Sequence, residues 1–555
     1  MKKPELSELT LKQKISQLLM VNQITLIYKD DGTLRNDDEI KELMSKYQYG
    51  SLWNTGDIKS KNANLAEEVN YGSSTTAQYK AWLNDITGPV DIPLLVGVDC
   101  ENGTGRIYSD GTDTSAAIAI GAADDEELTY ELASSVAREI KASGANWRWS
   151  PIVDMNSRFS CSVVRHYADD PDTVIKHASA AIRAANDQKM VSTIKHFPGS
   201  DGMNCRDSHI VPTQNNMSLE DWRKTQGKLF KGAIDAGVDS VMIGHTAFPA
   251  GDDALANGRY FPATLSEKII NGLLREELGF KGVVITDGLT MTALTSFCEY
   301  DEMLIRLINA GNDILLGVNP TDYDIVEKAV LDGRIPMSRI DESAERVLAL
   351  KEKIGLFSDE PEEEIDMTVQ PSITAAVDKK IAEKSITLVR DMKNLIPVKK
   401  EDIKNVAIVC CSHYSGTERE LEVMKKEFEA RGAKVTMMGD IDDKLIVKKL
   451  AEENDLIIYA AYVSSHRPMG LPSLYGPKME TFFNAFSFGK DKSIGVSMGY
   501  PYLCYDAMGG SDVLINTYST NPEALKAFVK VVYGEIKPTT NSPVDLESKP
   551  RFVYC

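Results

Sequence analysis

The sequence predicts an α/β protein in which a TIM-type (β/α) barrel is followed by a smaller α/β sandwich domain. Three observations support this: repeated short apolar runs, amphipathic stretches between them, and an acidic, proline-containing segment near residue 359. The chain has 555 residues, which is more than one hydrophobic core normally serves. We therefore predict the barrel domain over residues 1–358, a linker over 359–375 and the sandwich domain over 376–555.

Short runs rich in Val, Ile and Leu predict the strands of the barrel. Most lack strict alternation of polar and apolar residues, which is typical of strands covered on both faces. Glycine follows three of the intervening helical stretches, where a helix cap is expected. Repeated strand–helix units over this length favour a barrel over an open sheet. The predicted strands are Tyr49–Trp53, Ile92–Asp99, Trp147–Asp154, Val191–Phe197, Ser240–Thr246, Val283–Asp287 and Asp313–Val318, and the helices include Asp125–Ala142, Pro171–Gln188, Leu219–Ala236 and Ser266–Leu278.

A second α/β series follows the predicted linker. Its apolar runs are separated by helical stretches such as Thr417–Arg431 and Asn521–Tyr533. This pattern predicts a sheet with helices on both faces. The predicted strands are Val406–Cys411, Lys434–Met438, Leu456–Tyr462, Ser493–Met498 and Val513–Thr517.

The charge and cysteine content limit the partners and the compartment. A net charge of −20 opposes binding to nucleic acid or to an acidic membrane surface. The chain contains no run of about 18 apolar residues, and its amino terminus lacks the apolar core of a signal peptide. None of the eight cysteines forms a CxxC pair, so we expect reduced thiols in a cytoplasmic protein.

Polar side chains gather at one end of the predicted barrel. Asp99, Asp154, His196, His245 and Asp287 each lie at, or just before, the carboxyl end of a predicted strand. That end of a barrel carries the active site. A single aspartate after a strand is usually only a turn or a helix cap, but five charged or imidazole groups on one rim indicate a site.

Carboxylates and histidines on one rim suit glycoside hydrolysis, which needs a carboxylate nucleophile and a separate proton donor. A metal site is the alternative for such a cluster. The histidines lack HExxH spacing, however, and the nearby Lys195 and Arg165 would repel a cation. We therefore expect neither a metal ion nor another cofactor.

One pair of motifs resembles a known family. Lys195–Gly199 (KHFPG), followed by Asp207–His209 (DSH), is similar to the signature of glycoside hydrolase family 3, in its β-N-acetylglucosaminidase branch. The resemblance covers the barrel well and reaches into the second domain. Its further blocks are Arg165–Pro171 (RHYADDP), Val238–Pro249 (VDSVMIGHTAFP), Pro262–Leu273 (PATLSEKIINGL), Leu278–Leu294 (LGFKGVVITDGLTMTAL) and Ala382–Pro397 (AEKSITLVRDMKNLIP).

The resemblance implies roles for individual residues. Asp287 matches the family nucleophile, and His209 matches the histidine that acts as acid/base, with Asp207 as its partner. An aspartate two residues away can hold one imidazole nitrogen and favour the charged ring. Six further residues are predicted to bind the terminal sugar, of which His245 has a buried structural role as its alternative: Asp99, Arg106, Arg165, Lys195, His196 and His245.

The sequence also departs from the family pattern. Ser200–Asp201 replace the His–Gly that commonly follows KHFPG, and the loop that leads to DSH is one residue longer than expected. These differences concern the resting position of the loop more than its chemistry.

The predicted function is release of terminal β-linked N-acetylglucosamine (GlcNAc) from muropeptides or chitin oligosaccharides, with retention of configuration. Muropeptides would place the protein in peptidoglycan recycling. Phosphorolysis on the same scaffold and non-catalytic sugar binding are the alternatives, and a homodimer is left open.

Overall fold

A computed structural model describes residues 2–56, 58, 74–202, 206–256, 258–361, 363–414, 416–463, 472–539 and 541–546. The chain divides into two compact units. The barrel unit comprises Met1–Thr112, Thr129–Asp154 and Ile175–Thr374. The second unit comprises Asp113–Leu128, Met155–Val174 and Ala375–Cys555.

Eight parallel strands form the sheet of the barrel unit, in the order β11-β7-β5-β4-β3-β2-β1-β12. A bridge between Ile285 and Ile314 joins the two outermost strands, so the sheet nearly closes on itself. The strands of this unit, including four short ones outside the barrel, are β1 Leu19–Asn22, β2 Ser51–Asn54, β3 Leu95–Val98, β4 Trp147–Arg148, β5 Val191–Phe197, β6 Thr213–Gln214, β7 Ser240–Ile243, β8 Thr246–Ala247, β9 Leu255–Ala256, β10 Arg259–Tyr260, β11 Val283–Thr286 and β12 Leu315–Val318.

Helices separate the strands of the barrel. Several begin with a capping box, in which the N-cap side chain and a residue three positions later bond each other's backbone, as Thr75 and Gln78 do. The helices through residue 385 are α1 Leu11–Gln17, α2 Gln23–Ile27, α3 Asp37–Tyr47, α4 Thr76–Thr87, α5 Ala117–Ala123, α6 Glu126–Ala142, α7 Pro171–Asp187, α8 Leu219–Lys224, α9 Gln226–Asp235, α10 Thr292–Thr295, α11 Tyr300–Asn309, α12 Asp322–Leu331, α13 Met337–Lys353 and α14 Gln370–Ser385, together with 3₁₀ turns at Leu6–Glu8, Val163–Arg165 and Ala263–Leu265 and a π-helical segment at Lys268–Glu277.

The inside of the barrel is a packed hydrophobic core. Gly97 in β3 makes room for an aromatic ring, because a Cβ at that position would lie 2.5 Å from Cζ2 of Trp149. The barrel therefore encloses side chains rather than a channel. Its buried core residues include Met20, Leu95, Trp147, Trp149, Val191, Met242, Val283, Ile285, Ile314 and Leu316.

The second unit is built on a six-stranded sheet in the order β13-β18-β17-β16-β14-β15, in which β13 is antiparallel to β18 and the other pairs are parallel. Two separate hydrophobic clusters involve this sheet, consistent with a layer of helices on each face. The elements are β13 Thr387–Asp391, β14 Asn405–Ser412, α15 Thr417–Ala430, β15 Lys434–Met438, α16 Lys444–Glu453, β16 Leu456–Tyr462, α17 Pro477–Ala485, β17 Ser493–Ser497, β18 Val513–Asn516 and α18 Pro522–Val532, with 3₁₀ turns at Lys400–Asp402, Lys490–Lys492 and Pro501–Tyr505.

The predicted fold class is confirmed, and the differences are local. The predicted bounds of β5, β15 and β16 match the structure. Gly144, Gly237 and Gly279 have φ of +82°, +88° and +77°, as a left-handed helix cap requires.

Six strands were not predicted: β1 and β13 of the two main sheets, and the short strands β6, β8, β9 and β10. The four residues of β1 follow α1 after a single residue, and such a short apolar run does not differ from the end of a helix by periodicity. The predicted helix Leu219–Ala236 is two helices, because Thr225, at φ −119° and ψ −94°, interrupts it.

The domain boundaries also differ from those predicted. Residues 113–128 and 155–174, expected in the barrel domain, cluster with the second unit. Within the predicted linker 359–375, helix α14 already begins at Gln370.

Among the described residues, none of the helices is long and apolar enough to cross a bilayer. Cys205 and Cys555 lie outside the described residues. Five of the described cysteines are free thiols: Cys100, Cys298, Cys410, Cys411 and Cys504.

Candidate active site

Asp287 directly follows β11 at the carboxyl end of the barrel and is half-buried. Its backbone N–H donates to the Ile243 carbonyl at 2.9 Å, which ties it to the neighbouring β7. The backbone N–H of Gly288 donates to Asp287 Oδ1 at 2.7 Å. The carboxylate is therefore held by the barrel wall itself.

Three histidines lie close enough to the Asp287 carboxylate for their charges to act on it. Burial raises the pKa of this carboxyl, but the charges of His196, His245 and His209 and the Gly288 N–H together outweigh burial and bring the pKa below its ordinary value. Asp287 is therefore ionised at neutral pH. An ionised carboxylate at a barrel's carboxyl rim has the charge state that a nucleophile needs.

His245 supports the peptide that follows Asp287. Its Nε2 lies 3.0 Å from the Gly288 carbonyl oxygen and its Nδ1 lies 2.9 Å from Thr264 Oγ1. Because a carbonyl only accepts, these partners assign the proton to Nε2. Burial lowers the pKa of His245 below its ordinary value of 6.5, so the ring is neutral near pH 7 and carries the charge that acts on Asp287 only in more acidic solution.

This geometry corrects the predicted sugar-binding role of His245. Both ring nitrogens have protein partners, and the residue is only 2% exposed. His245 takes the buried structural role that the sequence left as the alternative.

Lys195 lies between two carboxylates. Its Nζ is 2.9 Å from Asp99 Oδ1 and 2.7 Å from Glu101 Oε1, and its side chain is 3% exposed. Arg148 fixes the backbone beside them by donating to the carbonyls of Cys100 at 2.9 Å and Glu101 at 3.1 Å. Asp99 itself is half-exposed, so its carboxylate can accept hydrogen bonds from sugar hydroxyls.

His196 is oriented by Asp154. Nδ1 of His196 lies 3.2 Å from Asp154 Oδ2, and the Asp154 side chain is almost fully buried. About a quarter of the His196 side chain is exposed. The ring is therefore held on one edge and accessible on the other.

Asp207 and His209 form a compact dyad in the loop after β5. Asp207 Oδ1 accepts from the His209 backbone N–H at 2.8 Å and lies 2.6 Å from His209 Nδ1. The Asp207 side chain is 9% exposed and that of His209 is 48% exposed. The carboxylate holds Nδ1, which leaves proton transfer to Nε2 of a ring that ligands can reach.

Two predicted sugar-binding residues, Arg106 and Arg165, lie in segments that do not carry the other predicted site residues. Arg106 is half-buried in a turn after β3, where the N–H groups of Ile107 and Tyr108 donate to the Thr104 carbonyl. Arg165 ends a 3₁₀ turn in segment 155–174 of the second unit. Their contact with a sugar stays a prediction.

Glu101, Arg148 and Thr264 were not predicted from the sequence. Glu101 lies two residues beyond Asp99 after the same strand, so the strand-end rule that selected Asp99 could have found it. Arg148 is the last residue of β4, but the predicted strand continued to Asp154, so Arg148 was not recognised as a strand-end residue. No sequence pattern marks Thr264, because a 3₁₀ turn, and not the end of a strand, places its hydroxyl beside Nδ1 of His245.

In the described part of the chain, no group of three or more His, Cys, Asp and Glu side chains could hold a metal ion. The Lys195 ammonium occupies the position between the carboxylates of Asp99 and Glu101. At the carboxyl end of the barrel, the ionised Asp287 lies near the imidazole of His209, which is hydrogen-bonded to the Asp207 carboxylate. That pairing suits nucleophilic attack assisted by proton transfer.

Known proteins are similar to this chain in sequence. A β-N-acetylglucosaminidase/β-glucosidase of Cellulomonas fimi is 28% identical over 498 residues, which are 85% of this chain and 87% of that protein. A β-hexosaminidase of Stenotrophomonas maltophilia is 31% identical over 245 residues, 43% of this chain and 70% of that protein.

Solved structures match over nearly the whole chain. A glycoside hydrolase family 3 β-N-acetylglucosaminidase from Paenibacillus sp. has a TM-score of 0.79 and 27% identity, with 98% of this chain and 100% of that chain covered. A β-glucoside phosphorylase has a TM-score of 0.82 over 97% of this chain and 95% of that chain, but at 24% identity this likeness shows the fold alone.

A family model, the glycosyl hydrolase family 3 N-terminal domain, matches residues 10–350, more than half of the chain. This match covers the barrel strands, Asp287 and the Asp207–His209 dyad. The chain belongs to glycoside hydrolase family 3.

Proposed function

We propose that this protein is a retaining glycoside hydrolase that releases terminal β-linked GlcNAc, with Asp287 as nucleophile and the His209–Asp207 pair as acid/base. The observation that carries the proposal is the pairing of an ionised Asp287 with His209, whose Nδ1 is held 2.6 Å from Asp207. A retaining mechanism needs these two groups in one site.

In the first step, an Asp287 carboxylate oxygen attacks the anomeric carbon and Nε2 of protonated His209 gives its proton to the glycosidic oxygen. The carbon–oxygen bond breaks, the alcohol leaves, and the sugar is bound covalently to Asp287. In the second step, the now neutral His209 removes a proton from water as the water attacks the anomeric carbon. Two displacements restore the β configuration and regenerate both groups.

The terminal sugar needs charged and polar partners around the anomeric carbon. Asp99, Lys195 and His196 belong to the same rim as Asp287, and Asp99 and His196 each present an accessible polar edge. We assign them to the sugar hydroxyls and the acetamido group. Arg165 and Arg106 are kept as further candidates on the basis of the family motif.

The names of the relatives support the substrate class. The Cellulomonas protein is named for both β-N-acetylglucosaminide and β-glucoside, whereas the Stenotrophomonas protein is named a β-hexosaminidase. We propose N-acetylglucosaminides as the better substrates, with muropeptides of peptidoglycan recycling and chitin oligosaccharides as the natural candidates. The test compares kcat/KM for an aryl β-N-acetylglucosaminide and the matched aryl β-glucoside. A glucoside that reacts equally well or better would contradict the assignment.

Phosphorolysis is the second candidate. The observation that favours it is the imidazole acid/base, because a neutral histidine in the second step does not repel phosphate as a free carboxylate would. Product analysis with and without phosphate separates the two reactions. Free GlcNAc at the same rate in both conditions supports hydrolysis, whereas a sugar 1-phosphate that appears only with phosphate supports phosphorolysis.

A further inference from the structure

We infer that the segment Gly288–Ala293 positions the acid/base relative to the nucleophile, through the backbone N–H groups of Thr292 and Ala293. This inference rests on the proposed roles of Asp287 and His209. The segment begins at the residue after Asp287 and ends in the first turn of α10. It therefore joins one proposed catalytic group to the other.

Two consecutive hydrogen bonds make the connection. Thr292 N–H donates to the His209 carbonyl at 3.1 Å, and Ala293 N–H donates to the Ser208 carbonyl at 3.1 Å. Adjacent donors thus meet adjacent acceptors, which fixes both the position and the direction of the loop backbone at His209.

The segment that supplies these donors is itself ordered from Asp287 onward. Met291 N–H donates to the Gly288 carbonyl at 3.2 Å, the same oxygen that His245 Nε2 approaches at 3.0 Å. The N–H groups of Leu294 and Thr295 both donate to the Met291 carbonyl at 3.0 Å. A short, bonded path therefore runs from the nucleophile to the donors.

The dyad alone does not fix His209 on the barrel. The hydrogen bond between Asp207 and His209 lies within one loop, so it orients the imidazole relative to the loop only. Further along, the loop is joined to the barrel rim by pairing of β6 with β8. The bonds from Thr292 and Ala293 act at His209 itself, where a displacement of about 1 Å costs on the order of 10²-fold in rate.

Thr292→Pro removes one of these donors without disturbing the helix. Thr292 is the first residue of α10, where proline is tolerated because the N–H has no partner within the helix. Met291 has φ −69° and ψ 135°, the extended conformation that a residue before proline requires. Thr292→Ala is the matched control, since it shortens the side chain and keeps the N–H.

The readout is the dependence of kcat/KM on leaving-group pKa across a series of aryl β-N-acetylglucosaminides. For Thr292→Pro we expect on the order of a 10-fold loss with the poorest leaving group, a fraction of the ~10²–10⁴-fold that acid/base catalysis contributes, and less than about 2-fold with the best. Thr292→Ala should keep the wild-type slope. A merely structural defect lowers the active fraction and scales all substrates equally.

Three outcomes separate the inference from the proposed function. A steeper slope in both His209→Ala and Thr292→Pro supports the inference. A steeper slope in His209→Ala alone overturns it and leaves the proposed function intact, whereas a wild-type slope in His209→Ala overturns the acid/base assignment.

A second measurement covers the case in which Thr292→Pro does not fold. Hydrogen–deuterium exchange of the wild-type protein reports on the peptide that contains Thr292 and Ala293. Protection of these amides supports the docking of the loop, and exchange at the earliest time point overturns it.

Discussion

Two aspartates of the barrel unit, Asp287 and Asp313, both have a pKa below the ordinary value, but they differ in burial, in position relative to a strand and in hydrogen-bond partners. Asp313 precedes β12 and is fully buried. Burial raises its pKa, but three arginines and the Val284 N–H outweigh burial. Its oxygens accept from Arg275 at 2.6 Å, Arg339 at 2.7 Å, Arg346 at 2.9 Å, Ser343 at 2.8 Å and Val284 N–H at 2.9 Å.

Asp287 follows the adjacent strand, β11, and lies at the other end of the barrel wall. It is half-buried, and over the described residues its carboxylate accepts a single hydrogen bond, from Gly288. The neighbours that lower its pKa are histidines, which can lose their charge, instead of arginines, which keep it.

The comparison separates a structural carboxylate from one prepared for chemistry. The lone pairs of Asp313 are occupied by permanent cations, so this carboxylate fixes the barrel and has no capacity to react. Asp287 is ionised, but over the described residues its carboxylate accepts only one hydrogen bond, and its histidine neighbours can change protonation during a reaction. Depression of a pKa alone therefore does not identify a nucleophile, and the number and type of partners must be counted as well.

The largest expected effect is on activity at Asp287. Asp287→Ala should lower kcat on aryl and natural β-N-acetylglucosaminides alike, on the order of 10⁵-fold or more, because both displacements need the nucleophile. The melting temperature should change little, since only one hydrogen bond to the carboxylate is lost. Steady-state kinetics and thermal unfolding check both expectations. Substantial residual turnover in this variant would place the nucleophile elsewhere.

The next effect is on stability at Asp313. Asp313→Ala should reduce the free energy of unfolding by about 3–5 kcal/mol, because it leaves buried or half-buried arginines without their counter-charge. Denaturant unfolding measures this loss, with Asp332→Ala, at an exposed ion pair with Lys328, as the control expected to cost less than about 1 kcal/mol. Equal losses in the two variants would refute the structural role of Asp313.

A smaller effect is expected at His245, which holds the Gly288 carbonyl. His245→Ala should lower kcat about 10- to 100-fold, with poor leaving groups affected at least as strongly as good ones, because the Gly288 carbonyl belongs both to the peptide that follows the nucleophile and to the segment that holds His209. Thr264→Val, which removes only the hydroxyl that bonds Nδ1, should cost less. A wild-type kcat in His245→Ala would show that neither group needs this contact.

The smallest effect is a pH dependence of stability. Burial lowers the pKa of His245 below its ordinary value of 6.5, so below that pH the unfolded chain binds a proton that the folded chain does not. Acidification therefore destabilises the wild type, and His245→Gln lacks this contribution. As the pH falls from about 7 to about 5, the free energy of unfolding of the wild type should decrease relative to that of His245→Gln by on the order of 1 kcal/mol. A difference independent of pH would show that His245 titrates alike in both states.

The part of the site that strands position could be predicted from the sequence. Apolar runs ended at His196, near His245 and at Asp287, and parallel strands of a barrel bring such ends to one rim. The sequence could not decide between the two roles left open for His245, because the groups that bond its ring belong to Thr264 and Gly288, far apart in the chain.

The part of the site that loops position was less predictable. The DSH motif predicted the dyad of Asp207 and His209, and its geometry is as a two-residue spacing allows. Docking of that loop on Thr292 and Ala293 uses backbone groups, which every residue has and no sequence pattern marks. For the same reason the assignment of segments 113–128 and 155–174 to the second unit was missed, since helical periodicity does not say which core a segment joins.

The central claim is that Asp287 bonds covalently to the sugar while His209 transfers the proton, and trapping the intermediate tests it most directly. With an activated aryl β-N-acetylglucosaminide, His209→Ala should form the glycosyl-enzyme readily but hydrolyse it slowly, because the second step lacks its base. Mass spectrometry of the digested variant should then show one GlcNAc on the peptide that contains Asp287. An adduct on another peptide would contradict the nucleophile, and wild-type turnover of a natural glycoside by His209→Ala would contradict the acid/base.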